Sequence, residues 1–221
     1  VFSGGKGYPK KYQLILMQDF IYTIINLDQK LFLAINSMVG TSSIIDSSAR
    51  IVASDYLVPV FLSLMLIFLW YKERSILRKF KTRLAVLNSI FTLFGACLIV
   101  FILNQMLFRE RPFNLIEANL IFYAPTDSSF PSNSVAAVVG LSIPVFKTYR
   151  KIGCLMLSSS LCLAFCRIYV GIHFPGDVLG GIIVSLVSFL LATLLINNLP
   201  KQLNLSLLVL EEWKWLKIFR L

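Results

Sequence analysis

Residues 84–108, LAVLNSIFTLFGACLIVFILNQMLF, form a long apolar run that contains no charged side chain. An α-helix rises 1.5 Å per residue, so about 20 apolar residues cross the hydrocarbon core of a bilayer. The whole chain of 221 residues is 57% hydrophobic, with a mean hydropathy of +0.78. Ordinary soluble domains are roughly 45–50% apolar. The composition therefore indicates an integral membrane protein.

Four further apolar runs lie on either side of this stretch, at residues 57–71, 135–146, 152–165 and 178–196. The second and third of these four runs are short and need flanking residues to span a membrane. Residues 13–27 are also apolar, but Gln18 and Asp19 lie inside them, which favours an interfacial amphipathic helix over a sixth span. The sequence thus predicts an all-α, polytopic membrane helical bundle with five to six transmembrane helices plus interfacial amphipathic helices.

One integral membrane domain over residues 1–221 accounts for this pattern. Within it, residues 1–41 are expected to form an N-terminal interfacial or first membrane helix. Residues 199–221 carry Trp213 and Trp215 among lysines, which is typical of a tail at the membrane interface. The oligomeric state does not follow from the sequence.

The net charge of +10 is concentrated in three basic clusters. They consist of Lys72, Arg74, Arg78, Lys79, Lys81 and Arg83; Lys147, Arg150 and Lys151; and Lys214, Lys217 and Arg220. Counting spans places all three clusters on one side, which the positive-inside rule makes cytoplasmic. They are explained as topology signals and contacts for anionic lipids, so no nucleic-acid partner is needed. Residues 109–112, 131–134 and 167–177 should then emerge together on the extracytoplasmic face.

The last of these segments carries the most specific chemistry. Residues 166–177, CRIYVGIHFPGD, include His173, the only histidine in the chain. Asp177 follows four residues later and is suited to keep one ring nitrogen protonated, which leaves the other nitrogen free to attack. Arg167 can supply positive charge for a phosphoryl group under attack. The alternative is that Asp177 merely caps the last span and His173 is an interfacial histidine without a role.

The first segment supplies two guanidinium groups, from Arg109 and Arg111. Their planar, permanently charged forks match phosphate oxygens. The alternative is that both side chains reach to the interface and pair with Glu110 or Asp127.

The second segment, Pro131-Ser132-Asn133-Ser134, begins the third span. Short polar residues cap helices well. A helix N-terminus also exposes backbone N–H groups and the positive end of the helix dipole, which suits an anion. The segment alone does not separate these two roles.

In this order and spacing, the three segments resemble the tripartite signature of the type-2 phosphatidic-acid phosphatase superfamily. The matching positions are Arg111-Pro112 in the first motif, Pro131-Ser132 in the second, and Arg167, His173 and Asp177 in the third. The resemblance covers roughly residues 30–198, and the wider layout is similar to bacterial undecaprenyl-diphosphate phosphatases.

This resemblance implies a reaction and a set of roles. His173 would attack phosphorus and form a phosphohistidine, and Asp177 would orient the imidazole. The phosphate oxygens would be held by Arg111, Arg167 and the amides around Ser132, Asn133 and Ser134. The partners implied are a lipid diphosphate or phosphate substrate and the bilayer of a bacterial plasma membrane, with the active site on the extracytoplasmic face.

No metal and no other cofactor is expected. The resemblance implies a metal-independent reaction, and the four cysteines show no Cys-x-x-Cys pairing. With a single histidine in the chain, a zinc site of the usual nitrogen and sulfur type is disfavoured.

The chain departs from the family pattern at four positions. Asn104 stands in place of a lysine, Cys166 in place of a serine, Asn133 in place of a glycine, and Ser134 in place of a second histidine. In the family that histidine protonates the leaving oxygen, and losing a general acid typically costs about 10² to 10⁴ in rate. A monophosphate leaving from a diphosphate is already a stable anion near pH 7. The sequence therefore predicts a lipid diphosphate as substrate, with Asn104 retained as a candidate phosphate-binding residue.

Three alternatives stay open at this stage. One is a catalytically impaired relative that binds or moves polyprenyl-phosphate or phosphatidyl lipids. Another is an engineered or natural inactive form of an ordinary phosphatase, in which Ser134 replaces histidine. An unrelated membrane transporter is the weakest, because no charge network is visible in the middle of the spans.

Overall fold

The computed structural model describes residues 10–73 and 75–198, and these residues form α-helices and connecting loops without a strand. In chain order the helices are α1 (Lys10–Asn36), α2 (Ser43–Val52), α3 (Leu57–Lys72), α4 (Ile76–Met106), α5 (Pro112–Leu115), α6 (Asn133–Thr148), α7 (Arg150–Tyr169) and α8 (Pro175–Asn198). The predicted all-α class is confirmed. Arg74 and the predicted interfacial tail at 199–221 lie outside the described residues.

Three of the described helices, α4, α7 and α8, are long and apolar enough to cross a membrane. A fourth span is formed if α2 and α3, which are bent by 51° relative to each other, are counted together. The shorter α6 is also apolar. Large apolar side chains such as Phe94, Phe101, Leu190 and Leu195 are more than half exposed on the outside of these helices. Such a surface suits contact with lipid.

The first helix includes the apolar segment 13–27 and continues without a break to Asn36. Asp28 therefore lies inside a helix that packs against α7 and α8. Asn36 at its end donates to the backbone oxygens of Asn119 and Tyr169, at 2.9 and 2.8 Å. These bonds join α1 to the loop before α6 and to the end of α7.

Helices α4, α6, α7 and α8 form the centre of the bundle, and α6 packs against the other three. Small hydroxyl side chains join the helices directly. The hydroxyl of Ser188 donates to the carbonyl oxygen of Thr92 at 2.7 Å, and that of Ser185 donates to the carbonyl oxygen of Ala136 at 2.7 Å. Such small residues let apolar helices approach closely and add hydrogen bonds between them.

The two ends of the bundle have different character. At one end, the ammonium group of Lys72 lies 5.3 Å from the ring centre of Tyr149, which brings the α3–α4 and α6–α7 connections together. The basic residues of both connections thus share this end. At the other end α4 and α7 terminate and α6 and α8 begin. The three candidate segments therefore meet at the end opposite the basic connections.

Candidate active site

The three segments surround one cavity of about 260 Å³. The lining consists of Asp55, Arg111, Tyr123, Pro125, Asp127, Ser128, Pro131, Asn133, Ser134, Arg167 and His173. Among the site residues predicted from sequence, Arg111, Asn133, Ser134, Arg167 and His173 are in this lining. Ser132 and Asp177 lie behind it, and Asn104 is not part of it.

Glycines bring the second and third segments together. Gly171 follows α7 with a φ of +92°, in the left-handed region that a residue with a Cβ rarely adopts. Gly181 lies where a Cβ would come within 2.7 Å of the carbonyl oxygen of Ser132. This close approach lets the backbone N–H of Ser132 donate to the carbonyl oxygen of Asp177 at 3.0 Å. The start of α6 is thus held directly against the start of α8.

His173 is only 2% exposed, and its side chain is held through one ring nitrogen. Nδ1 lies 3.0 Å from the backbone carbonyl oxygen of Ser129. A carbonyl oxygen only accepts hydrogen bonds, so Nδ1 carries the proton and Nε2 keeps its lone pair. Burial lowers the pKa of His173 below its ordinary value; the carboxylate of Asp177 opposes this shift and Arg111 adds to it. The imidazole is therefore neutral near pH 7, which suits a nucleophile.

Asp177 acts on His173 mainly through Ser129. The carboxylate oxygen Oδ2 lies 3.7 Å from Nδ1, within the range of an ion pair but beyond that of a hydrogen bond. The same oxygen accepts hydrogen bonds from the hydroxyl of Ser129 at 2.5 Å and from the backbone N–H of Phe174 at 2.8 Å. Asp177 is the third residue of α8, and its bond to the N–H of Phe174, just before the helix, is a capping contact. Its bond to the Ser129 hydroxyl goes beyond capping.

The ionisation of His173 can be measured directly, because the chain contains one histidine. Folding lowers the pKa, so the contribution of this residue to stability is present above its unfolded pKa and is lost as the pH falls below it. The measurement is a pH titration, by NMR, of tag-free protein with ¹⁵N-labelled histidine in micelles. At a pH equal to the ordinary histidine pKa, about 6.5, we expect the imidazole to be neutral and protonated on Nδ1. The protein unfolded in denaturant is the control. A titration midpoint above that of the unfolded control would contradict the geometry.

An ion network that was not expected from the sequence supports the other side of Asp177. Arg109 donates to Oδ1 of Asp177 at 2.7 Å and to Asp28 at 2.6 Å. Asp28 also accepts the backbone N–H of Gly176 at 2.7 Å, and the guanidinium of Arg109 lies 4.4 Å from the ring centre of Phe174. Arg109 therefore positions Asp177 and α8 and does not line the cavity. The sequence offered one weak signal, a carboxylate at position 28 next to an apolar helix.

Two buried arginines line the cavity. Arg111 donates to the carbonyl oxygen of Ile172 at 2.9 Å and to the carboxylate of Asp127 at 2.8 Å, so the pairing with Asp127 considered above is present. Arg167 donates to the carboxylate of Asp55 at 2.5 Å. Its Nε is buried and has no hydrogen-bond partner within residues 10–73 and 75–198. Arg167 also lines the cavity, and its permanent positive charge suits an anion there.

The first turn of α6 forms another part of the wall. Ser132 occupies the N-cap position but makes no capping hydrogen bond, and its buried hydroxyl finds no partner in the described part of the chain. Capping therefore does not account for this serine. Asn133 and Ser134 line the cavity next to it. The N–H groups of a first helical turn have no partner within the helix, so this wall favours an anion.

Asp55 was missed by the sequence interpretation. It lies in the break between α2 and α3, and its carboxylate accepts three hydrogen bonds from residues that line the cavity. The donors are Arg167 at 2.5 Å, Ser134 at 2.8 Å and Tyr123 at 2.7 Å. The sequence signal for Asp55 was a carboxylate between two apolar segments. This signal does not reveal the partners of Asp55, because they are distant in sequence.

Asn104 does not join the site in this structure. It lies in the last turn of α4, and its side-chain oxygen is buried without a partner among the described residues. Because the cavity lining does not include Asn104, a direct contact with phosphate stays a prediction without geometric support.

Comparisons with known proteins found related sequences and structures. A family model described as the PAP2 superfamily matches residues 83–201. The chain is 28% identical over 161 residues to Undecaprenyl-diphosphatase BcrC of Bacillus subtilis, which covers 73% of this chain and 80% of that protein. The crystal structure of Aquifex aeolicus LpxE superposes with a TM-score of 0.59 at 26% identity, covering 74% of this chain and 93% of that one. A PAP2 type phosphatidylglycerolphosphate phosphatase from Bacillus subtilis shares the fold, with a TM-score of 0.58 at 15% identity, covering 80% of this chain and 88% of that one.

Proposed function

The chain belongs to the PAP2 superfamily, and from this membership we propose that it removes the terminal phosphate of a membrane lipid diphosphate through a phosphohistidine intermediate. The observation that carries the proposal is the orientation of His173. Its Nδ1 is hydrogen-bonded to the carbonyl oxygen of Ser129, so Nε2 is the nitrogen that remains free to attack a substrate. The cavity that His173 lines also contains two arginines.

Each group at the cavity has a role in this reaction. The lone pair on Nε2 of His173 attacks the terminal phosphorus, and the bond from phosphorus to the bridging oxygen breaks. As N–P bonding develops, positive charge grows on the imidazole, and Asp177 stabilises it through Ser129 and by its own nearby charge. Arg111, Arg167 and the first turn of α6 stabilise the negative charge on the phosphoryl oxygens. Water then attacks phosphorus, the bond from Nε2 to phosphorus breaks, and inorganic phosphate leaves as the imidazole is regenerated.

A diphosphate substrate fits this set of groups better than a monoester. The lipid monophosphate that leaves a diphosphate is stable as an anion near pH 7, whereas a lipid alkoxide needs a proton to leave. Ser134 provides a hydroxyl where the family resemblance implies an acidic histidine, and a hydroxyl does not act as an acid near neutral pH. The name of the Bacillus subtilis relative, an undecaprenyl-diphosphatase, supports the same substrate class.

The membrane setting limits how substrate reaches the cavity. The apolar α4 and α7 end, and α8 begins, at the end of the bundle where the cavity lies. A lipid tail can stay in the hydrocarbon between helices while the headgroup enters the polar cavity from the side. The basic residues at the opposite end of the bundle favour the cytoplasmic side. We therefore place the reaction at the extracytoplasmic face of a bacterial plasma membrane.

Phosphate release by the purified protein tests the proposal. We expect faster release from undecaprenyl diphosphate than from phosphatidic acid, because the diphosphate has the better leaving group. Both lipids are presented in the same mixed micelles, and His173→Ala protein serves as the blank. Faster turnover of phosphatidic acid would overturn the substrate preference. Tight lipid binding without phosphate release would favour the impaired, lipid-binding alternative.

A further inference from the structure

Phosphoryl transfer from a lipid requires a proton at the leaving oxygen whenever that oxygen leaves as an alkoxide. The single histidine of the chain is used as the nucleophile, so the proton must come from another group. Three other titratable side chains that can release a proton line the cavity, and they are Asp55, Tyr123 and Asp127.

Two of these three are poorly suited to the task. Burial and the hydrogen bond to Asp55 raise the pKa of Tyr123, so its phenol holds the proton firmly. Asp127 is 63% exposed at its side chain and is paired with Arg111, which donates to both its carboxylate and its backbone oxygen. Its carboxylate is thus held by its own arginine at the exposed edge of the cavity.

Asp55 is in a different situation, because the three groups that bond it all line the cavity. Burial raises its pKa, but Arg167, Tyr123 and Ser134 lower the pKa further, so the carboxylate is ionised before substrate binds. Its side chain is 40% exposed, and one carboxylate oxygen, Oδ1, receives both the guanidinium of Arg167 and the hydroxyl of Ser134. The carboxylate thus occupies the position beside Arg167 that a phosphate oxygen would take. Because the family match begins at residue 83, Asp55 lies outside it.

We propose that Asp55 is a catalytic residue that gives a proton to the leaving oxygen and then takes one from the attacking water. This inference rests on the proposed phosphatase function. An incoming phosphate competes with Asp55 for Arg167, so the carboxylate loses its main positive partner and gains an anionic neighbour. Both changes favour the protonated carboxyl group.

The charged and titratable groups around Asp55 agree with this sequence of events. Arg167 on α7 is the one positive group in direct contact with it among the described residues. Ser134 on α6 and Tyr123 in the preceding loop are neutral donors. Arg111 and His173 are elsewhere in the lining, where each is held by a backbone carbonyl oxygen. Loss of the contact with Arg167 therefore removes most of the positive charge next to Asp55.

The proton balance closes over one turnover. Asp55 takes up a proton from solvent as substrate binds. Nε2 of His173 forms a bond to phosphorus, the bond from phosphorus to the leaving oxygen breaks, and that oxygen receives the proton of Asp55. The Asp55 carboxylate then removes a proton from water as its oxygen bonds to phosphorus and the N–P bond breaks. Inorganic phosphate leaves, and His173 is again neutral.

The test is Asp55→Asn, which keeps the shape of the side chain and removes its acidity. With phosphatidic acid we expect the rate of the first turnover to fall by about 10² to 10⁴, the usual contribution of a general acid. With ³²P-labelled undecaprenyl diphosphate we expect the first step to persist, because its leaving group needs no proton. Hydrolysis then slows, and alkali-stable label accumulates on the protein.

Two further variants separate catalysis from folding. Asp19→Asn removes an exposed carboxylate of α1 that does not line the cavity, and should leave both rates unchanged. Asp55→Asn combined with Ser134→His places an imidazole beside position 55 and should restore part of the first-turnover rate, which a merely structural role would not allow. Thermal unfolding checks each variant in micelles.

The outcomes distinguish the two proposals. If the wild-type protein is active and Asp55→Asn has the same rates as wild type, only the role of Asp55 is overturned. The same conclusion follows if Asp127→Asn, and not Asp55→Asn, loses activity in a way that depends on the leaving group. A rate that falls equally for both lipids, without labelled protein and without rescue by Ser134→His, also overturns it. A wild-type protein that releases phosphate from neither lipid overturns both proposals.

Discussion

His173→Ala should reduce phosphate release from undecaprenyl diphosphate by at least about 10⁴-fold, the largest effect that we expect from any single substitution. The chain has no second histidine, so no other imidazole can form the intermediate. The arginines and the start of α6 would remain, and they stabilise charge without supplying a nucleophile. The measurement is inorganic phosphate release at saturating lipid, together with ³²P labelling of the protein.

The same variant should keep its fold and its affinity for the lipid headgroup. The side chain of His173 is buried, and its removal leaves space that added imidazole can enter. We expect imidazole to restore a measurable fraction of the rate, whereas a bulkier base of similar pKa should not. Turnover within tenfold of wild type would show that another group attacks phosphorus and would end the phosphohistidine mechanism.

Arg167→Ala should lower kcat by about 10² to 10³, because a preorganised donor to the transferring phosphoryl group is lost. The side chain is almost fully buried, and Arg167 lines the cavity. Arg167→Lys should recover only part of this loss, since a single ammonium group cannot reproduce two directed N–H bonds. Steady-state kinetics with the lipid diphosphate separates the effects on kcat and KM.

A matched control is available on the same helix. Arg150 begins α7 at the opposite end of the bundle, where its guanidinium is exposed and stacks 5.2 Å from the ring centre of Phe146. Arg150→Ala removes the same charge and should change kcat by less than about twofold, consistent with its distance from the cavity. If both alanine variants lose the same activity, general charge and not the cavity position of Arg167 explains the loss.

The contact between Asp55 and Arg167 predicts that substitutions at these two positions affect each other. Removing Arg167 leaves Asp55 without its ion-pair partner, while the hydrogen bonds that Asp55 accepts from Ser134 and Tyr123 remain. The two positions are therefore coupled, and their effects should not add in the double variant.

The amino-acid sequence predicted the apolar helices and pointed to the residues of the third segment. Apolar helices can be predicted from sequence because a membrane-spanning helix satisfies its own backbone hydrogen bonds. The length and composition of an apolar segment are therefore enough to identify it. Arg167, His173 and Asp177 lie close together in the sequence, so their spacing could also be recognised without the fold. The contacts of Asp28 were less readable, since its partners Arg109 and Gly176 lie far along the chain.

The tertiary structure alone decided how these groups are connected. The four-residue spacing of His173 and Asp177 indicated a direct hydrogen bond, but the partner of Nδ1 is Ser129, 44 residues earlier. Arg167 finds Asp55 at a separation of 112 residues. Neither contact follows a helical period, because each depends on which loops the packing of the bundle brings to one end. Local pattern thus fixed which groups are present, and helix packing fixed which of them touch.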